Sequence, residues 1–170
     1  HDCADLLARA LPEVVAQLGH RDDAEIIVVD DASDDAPDRV VEQVGAGRVR
    51  YVRHSPNRGA VATFNRCIAL AQGELVHLLH GDDEILPGFY ATMEEALLPS
   101  RAVAAVCRAQ DIDADGSHLY TTRSYRHGTG IWTEALDTFA VSNRVRAPGI
   151  VVRRSAYTKV GGYRTDLPHA

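Results

Sequence analysis

The sequence predicts an α/β fold with a mostly parallel sheet flanked by helices, followed by a smaller mixed region. Three observations predict it. Ile26-Ile27-Val28-Val29 is a continuous apolar run that stops in Asp30-Asp31. Leu75-Val76-His77-Leu78-Leu79 is a second such run, and it stops in His80-Gly81-Asp82-Asp83. Unbroken apolar runs belong to strands covered on both faces, as in parallel sheets. Up to about residue 100, strand-like runs alternate with segments whose apolar residues recur at helical spacing, which indicates βαβ units.

Each element can be justified in order. Leu7, Leu11, Val14 and Leu18 share a helical face, and Gly19 stops that helix. Residues 25 to 30 form the first strand. Pro37, whose fixed φ suits a first helical turn, opens a helix that ends near Gly45. Val49 to Arg53 is a short strand. Ala60, Phe64, Ile68 and Ala71 line one face of the next helix, which Gly73 caps. Residues 74 to 80 are the next buried strand, and Pro87 opens a helix through about Leu98. The alternation then lapses. Ala102 to Gln110 and His118 to Thr122 read as two strands joined by Asp113-Ala114-Asp115-Gly116, a strong turn signal. Arg123 to Gly130 is a polar loop. A helix around Trp132 to Phe139, a strand at Gly149 to Val152 and a helix begun by Ser155 follow, the last ending at Gly161-Gly162.

The chain of 170 residues is long enough for one core without disulfide or metal staples. Its net charge of −6, from 18 Lys+Arg against 24 Asp+Glu, gives no bulk electrostatic case for nucleic acid. Cys3, Cys67 and Cys107 are odd in number and contain no Cys-x-x-Cys pair. They argue against a disulfide framework or zinc site and fit a reducing compartment. No apolar stretch reaches membrane-spanning length and no signal peptide opens the chain. The expected location is cytoplasmic, with the inner face of the membrane as the alternative. His1 stands at the start of a helix with no strand before it, and Leu167-Pro168-His169-Ala170 stop in mid-loop, so both ends read as cut.

Ligands bind outside the carboxyl ends of strands in open α/β sheets. Two acidic tips there suit a sugar or base held by hydrogen bonds, and a hard cation carrying phosphate. Asp30 and Asp31 can accept hydrogen bonds from a base N–H and a ribose hydroxyl. Ser33, Asp34 and Asp35 equally fit a turn or N-cap cluster, and Asp5 reads as a solvated first-turn carboxylate. Asn57-Arg58-Gly59 opens the helix carrying Asn65, where backbone N–H groups and the dipole suit phosphate and Arg58 adds a planar donor.

These motifs occur in one order: Asp2-Cys3-Ala4-Asp5-Leu6-Leu7, Val28-Val29-Asp30-Asp31-Ala32-Ser33-Asp34-Asp35, Asn57-Arg58-Gly59, Asn65 and Gly73-Glu74. His80-Gly81-Asp82-Asp83-Glu84-Ile85-Leu86-Pro87 and Gly161-Gly162-Tyr163 complete the set. In that order and spacing the chain resembles the family 2 inverting glycosyltransferases of GT-A fold, a Rossmann-like architecture, over nearly its whole length. The resemblance implies transfer of a sugar from a nucleoside-diphosphate donor, more often a UDP-sugar, to a saccharide, lipid-linked or protein acceptor. Residues 1–100 would be the nucleotide-sugar-binding half and 101–170 the acceptor-side half. Asp30, Asp31, Arg58 and Asn65 would contact the donor. Asp82 would hold a divalent ion, manganese or magnesium, that neutralises the departing diphosphate.

His80 departs from the family's Asp-x-Asp triplet, which would place aspartate at 80 and 82. Its imidazole can ligate manganese, hydrogen-bond a phosphate or orient Asp82. Arg146, before Pro148-Gly149, lies where the family shapes its acceptor pocket. The family's general base is a carboxylate shortly after the Gly-Gly-aromatic motif. Asp166 follows Gly161-Gly162-Tyr163 too closely, so the base is expected beyond Ala170. A donor-binding module without a base is therefore the competing reading. A nucleotidyltransferase is the weaker third, because no glycine-rich loop with a basic residue follows the first strand.

Overall fold

The computed structural model describes residues 1–124, 126, 128–142 and 145–167. Helix α1 (Ala4–Leu18) precedes strand β1 (Ile26–Asp30), helix α2 (Pro37–Val44) and strand β2 (Val49–Arg53). Helix α3 (Ala60–Leu70), strand β3 (Leu75–His77) and helix α4 (Phe89–Leu97) follow. The second half holds β4 (Ala104–Val106), β5 (Gln110–Ile112), β6 (His118–Thr121), α5 (Ala135–Val141), β7 (Ile150–Arg153) and α6 (Arg154–Val160).

The α/β class and the element order follow the sequence reading; the pairing is more divided than a mostly parallel sheet. β1 and β2 pair in parallel, with Ile26 opposite Val49 and Asp30 opposite Arg53. β7 lies between β3 and β4 and runs antiparallel to both, with Val76 and Ala104 each opposite Val152. β5 and β6 form a separate antiparallel hairpin. Among the described strands, parallel pairing is confined to β1 and β2, because the late strand β7, not an early one, is the partner of β3.

Several boundaries differ for local reasons. α3 ends at Leu70 and Ala71 turns extended; Gly73 lies beyond the helix end. The Gln72 and Gly73 N–H groups donate instead to the Glu25 carboxylate. α4 begins at Phe89, because Gly88 takes a left-handed conformation that keeps Pro87 outside the helix. The predicted strand 102–110 is split into β4 and the start of β5. The predicted hairpin turn holds: the Asp113 carboxylate accepts the Asp115 and Ser117 N–H groups, and Gly116 has φ +82°.

Two clusters form the core. Leu11 and Val14 of α1, Ile26 of β1 and Val41 of α2 pack with Ile85, while Met93 and Leu97 of α4 pack on Val151 of β7. Arg153 ties the second cluster to its rim. Its guanidinium donates to the carbonyls of Leu97 (2.7 Å), Ser100 (3.1 Å) and Ala102 (3.0 Å) and pairs with Glu74. The Leu97 carbonyl ends α4, where it also accepts the Ser100 N–H and hydroxyl, and those of Ser100 and Ala102 lie in the segment after it. Arg153→Met keeps the apolar stem and removes the fork. It is expected to destabilise the fold by about 3 kcal/mol, read as a fall of about 6–12 °C in Tm by circular dichroism.

Candidate active site at the acidic strand tips

The chain turns sharply after β1. Ala32 adopts φ +67°, a left-handed conformation unusual for a residue with a Cβ, and the two neighbouring aspartates are held by different partners. Asp30 is 5% exposed. Its Oδ1 accepts the Ser33 N–H (3.0 Å), and its Oδ2 accepts the Tyr51 hydroxyl (2.7 Å) and the Arg53 guanidinium (2.5 Å). Burial alone would push this carboxyl up, but the Ser33 and Tyr51 hydrogen bonds and the Arg53 charge outweigh it and hold the pKa below the usual range. Burial and the shared proton in turn push the Tyr51 phenol up to about 12.

Asp31 faces the other way and is equally buried. Its carboxylate accepts the backbone N–H groups of Arg58 (2.8 Å) and Gly59 (2.7 Å) and lies 2.9 Å from Nδ1 of the buried His54. The Asn57 amide donates to the Asp31 carbonyl (2.9 Å). These bonds overcome burial and hold the Asp31 pKa low. Two N–H groups of the loop that leads into α3, those of Arg58 and the N-cap Gly59, are thus given to a carboxylate of the protein itself. The Arg58 side chain remains exposed, with no hydrogen bond to another described residue.

The turn is also tied to the start of α1. Ser33 Oγ accepts the Asp2 N–H (3.0 Å), and Asp35 accepts the Ala4 N–H (2.7 Å). Cys3 in turn touches the second tip: a Cβ on Gly81 would lie 2.5 Å from Cys3 Sγ. The two acidic tips therefore meet across Cys3.

At the second tip, His80, Asp82 and Asp83 offer one ligand atom each within 4.8 Å of one another. Asp82 is exposed and the other two are half-buried. His80 stacks on Phe64 of α3, with ring centroids 4.9 Å apart and planes at 8°, and its Nδ1 lies 3.5 Å from Asp83 Oδ2. Burial raises the Asp83 pKa; His80 lowers it, while Asp82 and Asp111 raise it further. An imidazole and two carboxylates in this arrangement fit a small divalent ion, and the carboxylate repulsion within the cluster is what a cation relieves.

Asn65 serves a different contact from the donor contact expected of it. Its amide donates to the Tyr163 carbonyl (2.9 Å) and accepts the Tyr163 N–H (2.8 Å), so the side chain mimics a strand partner. Tyr163 lies against Phe64, at 5.6 Å between centroids, which joins the Gly161-Gly162-Tyr163 loop to the His80 stack. Gly162 has φ +80°, and a Cβ there would sit 2.5 Å from Asn65 Oδ1; Gly161 has φ +83° and open space. Gly161→Ala is expected to lose about 1 kcal/mol from backbone strain alone. Gly162→Ala should lose about 2 kcal/mol or more, because the Asn65 pair is displaced as well; urea unfolding of the two variants measures the difference.

Asp166 is paired with Arg164 (2.5 Å), is 65% exposed in its side chain, and has its pKa held low by that guanidinium. Arg146 donates to Asp111 (2.8 Å) and the Tyr120 hydroxyl (2.7 Å), anchoring the β5–β6 hairpin. The structure thus brings Asp30, Asp31, His80 and Asp82 to the rim of one cavity and leaves Arg58 and Asn65 outside its lining. The tail beyond Leu167 lies outside the described residues.

Tyr51, Arg53 and His54 are not singled out by sequence; the parallel register, which pairs Asp30 with Arg53, puts residue 54 beside residue 31. No described helix is long and apolar enough to cross a membrane.

The sequence pattern of glycosyl transferase family 2 matches residues 1–161. The uncharacterized protein MT1568 of Mycobacterium tuberculosis is 28% identical over 172 residues, covering 95% of this chain and 53% of that protein. The succinoglycan biosynthesis protein ExoO of Rhizobium meliloti is 32% identical over 119 residues, covering 70% of this chain and 34% of its own length. The mannosyltransferase PcManGT of Pyrobaculum calidifontis, solved with GDP-Man and Mn2+, superposes with a TM-score of 0.68 at 19% identity, covering 96% of this chain and 45% of that one. The chain spans about half the length of the first of these relatives and a third of the second.

Proposed function

The chain belongs to glycosyl transferase family 2, and from that premise we propose that it binds a nucleoside-diphosphate sugar at the two acidic tips for inverting transfer to an acceptor hydroxyl. The observation that carries this is the cluster of His80, Asp82 and Asp83, of which His80 and Asp82 line the same cavity as Asp30 and Asp31. Asp82 and His80, with Asp83 beside them, would hold a divalent ion, which would supply charge neutralisation for the diphosphate leaving group. The Mn2+ bound by the mannosyltransferase neighbour supports this choice of cofactor.

The protein's own groups do the rest. Asp30 and Asp31 are held rigid by Tyr51, Arg53 and His54 and shape the nucleoside pocket. Their carboxylates are largely used by protein donors, so the remaining lone pairs and the turn backbone meet the base and ribose. The exposed Arg58 guanidinium reaches for a diphosphate oxygen. Asn65 aligns the Tyr163 loop, on the acceptor side, with the Phe64–His80 stack.

One observation favours a second reading, a donor-binding module without its base. Asp166, held low by Arg164, is a weak proton acceptor at neutral pH. Calorimetric titration of UDP, GDP and dTDP, with and without manganese, tests the donor site. Manganese-dependent binding of one nucleotide is expected, and the nucleotide that binds identifies the donor's base. Absence of binding by all three overturns the proposal. Release of nucleotide from the corresponding sugar donor then separates an active transferase from a binding module.

A further inference from the structure

His54 follows β2 directly, and its N–H donates to the Asp30 carbonyl (2.8 Å), so it continues the parallel pairing to the carboxyl end of the strands. Ligands of open α/β sheets bind outside that end. The His54 side chain is 9% exposed, and its Nδ1 lies 2.9 Å from Asp31 Oδ1. An ionised carboxylate only accepts, so Nδ1 carries the proton and Nε2 is left as a bare acceptor.

Nε2 has no hydrogen-bond partner among the described residues. Yet no side-chain nitrogen or oxygen sealed from solvent lacks a partner among those residues. Nε2 therefore opens at the surface, although nine-tenths of the side chain is buried. Bracing Asp31 uses only the Nδ1 edge, and an asparagine amide would donate as well. The imidazole adds a second polar atom, held in a fixed direction by the first and free to meet a ligand.

The turn beside it supplies a donor. The Ala32 N–H, set by a backbone with φ +67°, has no partner among the described residues. His54 and Ala32 are both joined to Asp31, one by its hydrogen bond and one through the chain. An acceptor and a donor there suit an N–H beside a C=O, the pair found on the rings of uracil, thymine and guanine. Cytosine and adenine carry a lone pair at the corresponding ring nitrogen, which would face the lone pair of Nε2. Resting on the donor-site reading, we infer that His54 determines which nucleoside is bound. Its Nε2 accepts a hydrogen bond from the ring N–H of uracil, thymine or guanine and disfavours cytosine and adenine.

Calorimetry in the presence of manganese compares UDP with CDP, dTDP with dCDP and GDP with ADP. In the pair that binds, the nucleotide with the ring N–H is expected to bind about tenfold tighter or more. Methylating that ring nitrogen should cost at least as much. His54→Asn keeps a donor for Asp31 and removes the acceptor. It should weaken the preferred nucleotide by about tenfold, leave the other member of the pair unchanged and so bring the two to parity. The unaltered protein gives a second readout that does not depend on the variant folding. In a long-range proton–nitrogen spectrum, His54 Nε2 should be the unprotonated nitrogen, and its signal should move with the preferred nucleotide but not with ribose phosphate. A preference that survives His54→Asn, equal binding within every pair, or an Nε2 signal indifferent to the nucleotide overturns the inference and leaves the donor site standing. Absence of binding by all six nucleotides overturns the donor site and this inference with it.

Discussion

Replacing Asp31 by asparagine is expected to destabilise the protein by about 3 kcal/mol at pH 7 and to flatten the acid side of its stability curve. The carboxylate accepts from Arg58 and Gly59 and from His54, using both oxygens. An asparagine of the same shape must turn an NH2 toward one of those donors, leaving a buried N–H facing another. The sign of the pH effect follows from the depressed pKa. Asp31 and Asp30 both titrate below the ordinary aspartate value of about 3.9 in the folded chain. Their stabilisation is therefore fully present above that value and is lost as pH falls through it toward the folded pKa. Within that window each such group contributes a slope of about 1.4 kcal/mol per pH unit. Urea unfolding between pH 3 and 7 should show the slope reduced by one group's worth in Asp31→Asn. An unchanged slope would mean that the His54 and backbone bonds do not bias the carboxylate.

The same aspartate shows what the sequence could and could not reveal. The doubled carboxylate at a strand end was visible, since an apolar run that stops in Asp-Asp has few other readings. Its partners were not. Asn57-Arg58-Gly59 reads as an anion site because a helix start with a nearby arginine suits one; only the three-dimensional path shows that the Arg58 and Gly59 N–H groups, just before the helix, go to Asp31. Asn65 looked like a donor ligand for a similar reason. Its actual partner, the Tyr163 backbone, is 98 residues away, and no local pattern encodes that pairing. Local signals did locate helices and turns well, because Gly19, Pro37, Gly45 and the Asp113–Gly116 turn act through their own backbone. The sheet was harder. A continuous apolar run announces a strand buried on both faces but not its neighbours, so the antiparallel insertion of β7 beside β3 was invisible. The chemistry of the second tip was the most legible part of the site, since His80, Asp82 and Asp83 are nearly consecutive and proximity follows from spacing alone.

That second tip carries the other large effect. Asp82→Ala is expected to weaken manganese-dependent nucleotide binding by about 100-fold or more, roughly 2.7 kcal/mol, while moving Tm by no more than about 2 °C because the side chain is exposed. His80→Asp poses the sharper question. An imidazole among oxygen ligands favours a transition ion, whereas an all-carboxylate set accepts magnesium as readily. The native chain should therefore bind nucleotide about tenfold better with manganese than with magnesium, and His80→Asp should bring the two close to parity. The substitution also removes the stack on Phe64, which bears on the Tyr163 loop, so a separate comparison is needed. Phe64→Leu disturbs the stack and keeps the imidazole. If Phe64→Leu retains the manganese preference while His80→Asp loses it, the imidazole is a ligand. If both lose it equally, His80 acts by holding Asp82 and Asp83 in place. A metal preference unchanged in both variants would assign the ion to the carboxylates alone and leave His80 as the packing contact between the donor rim and α3.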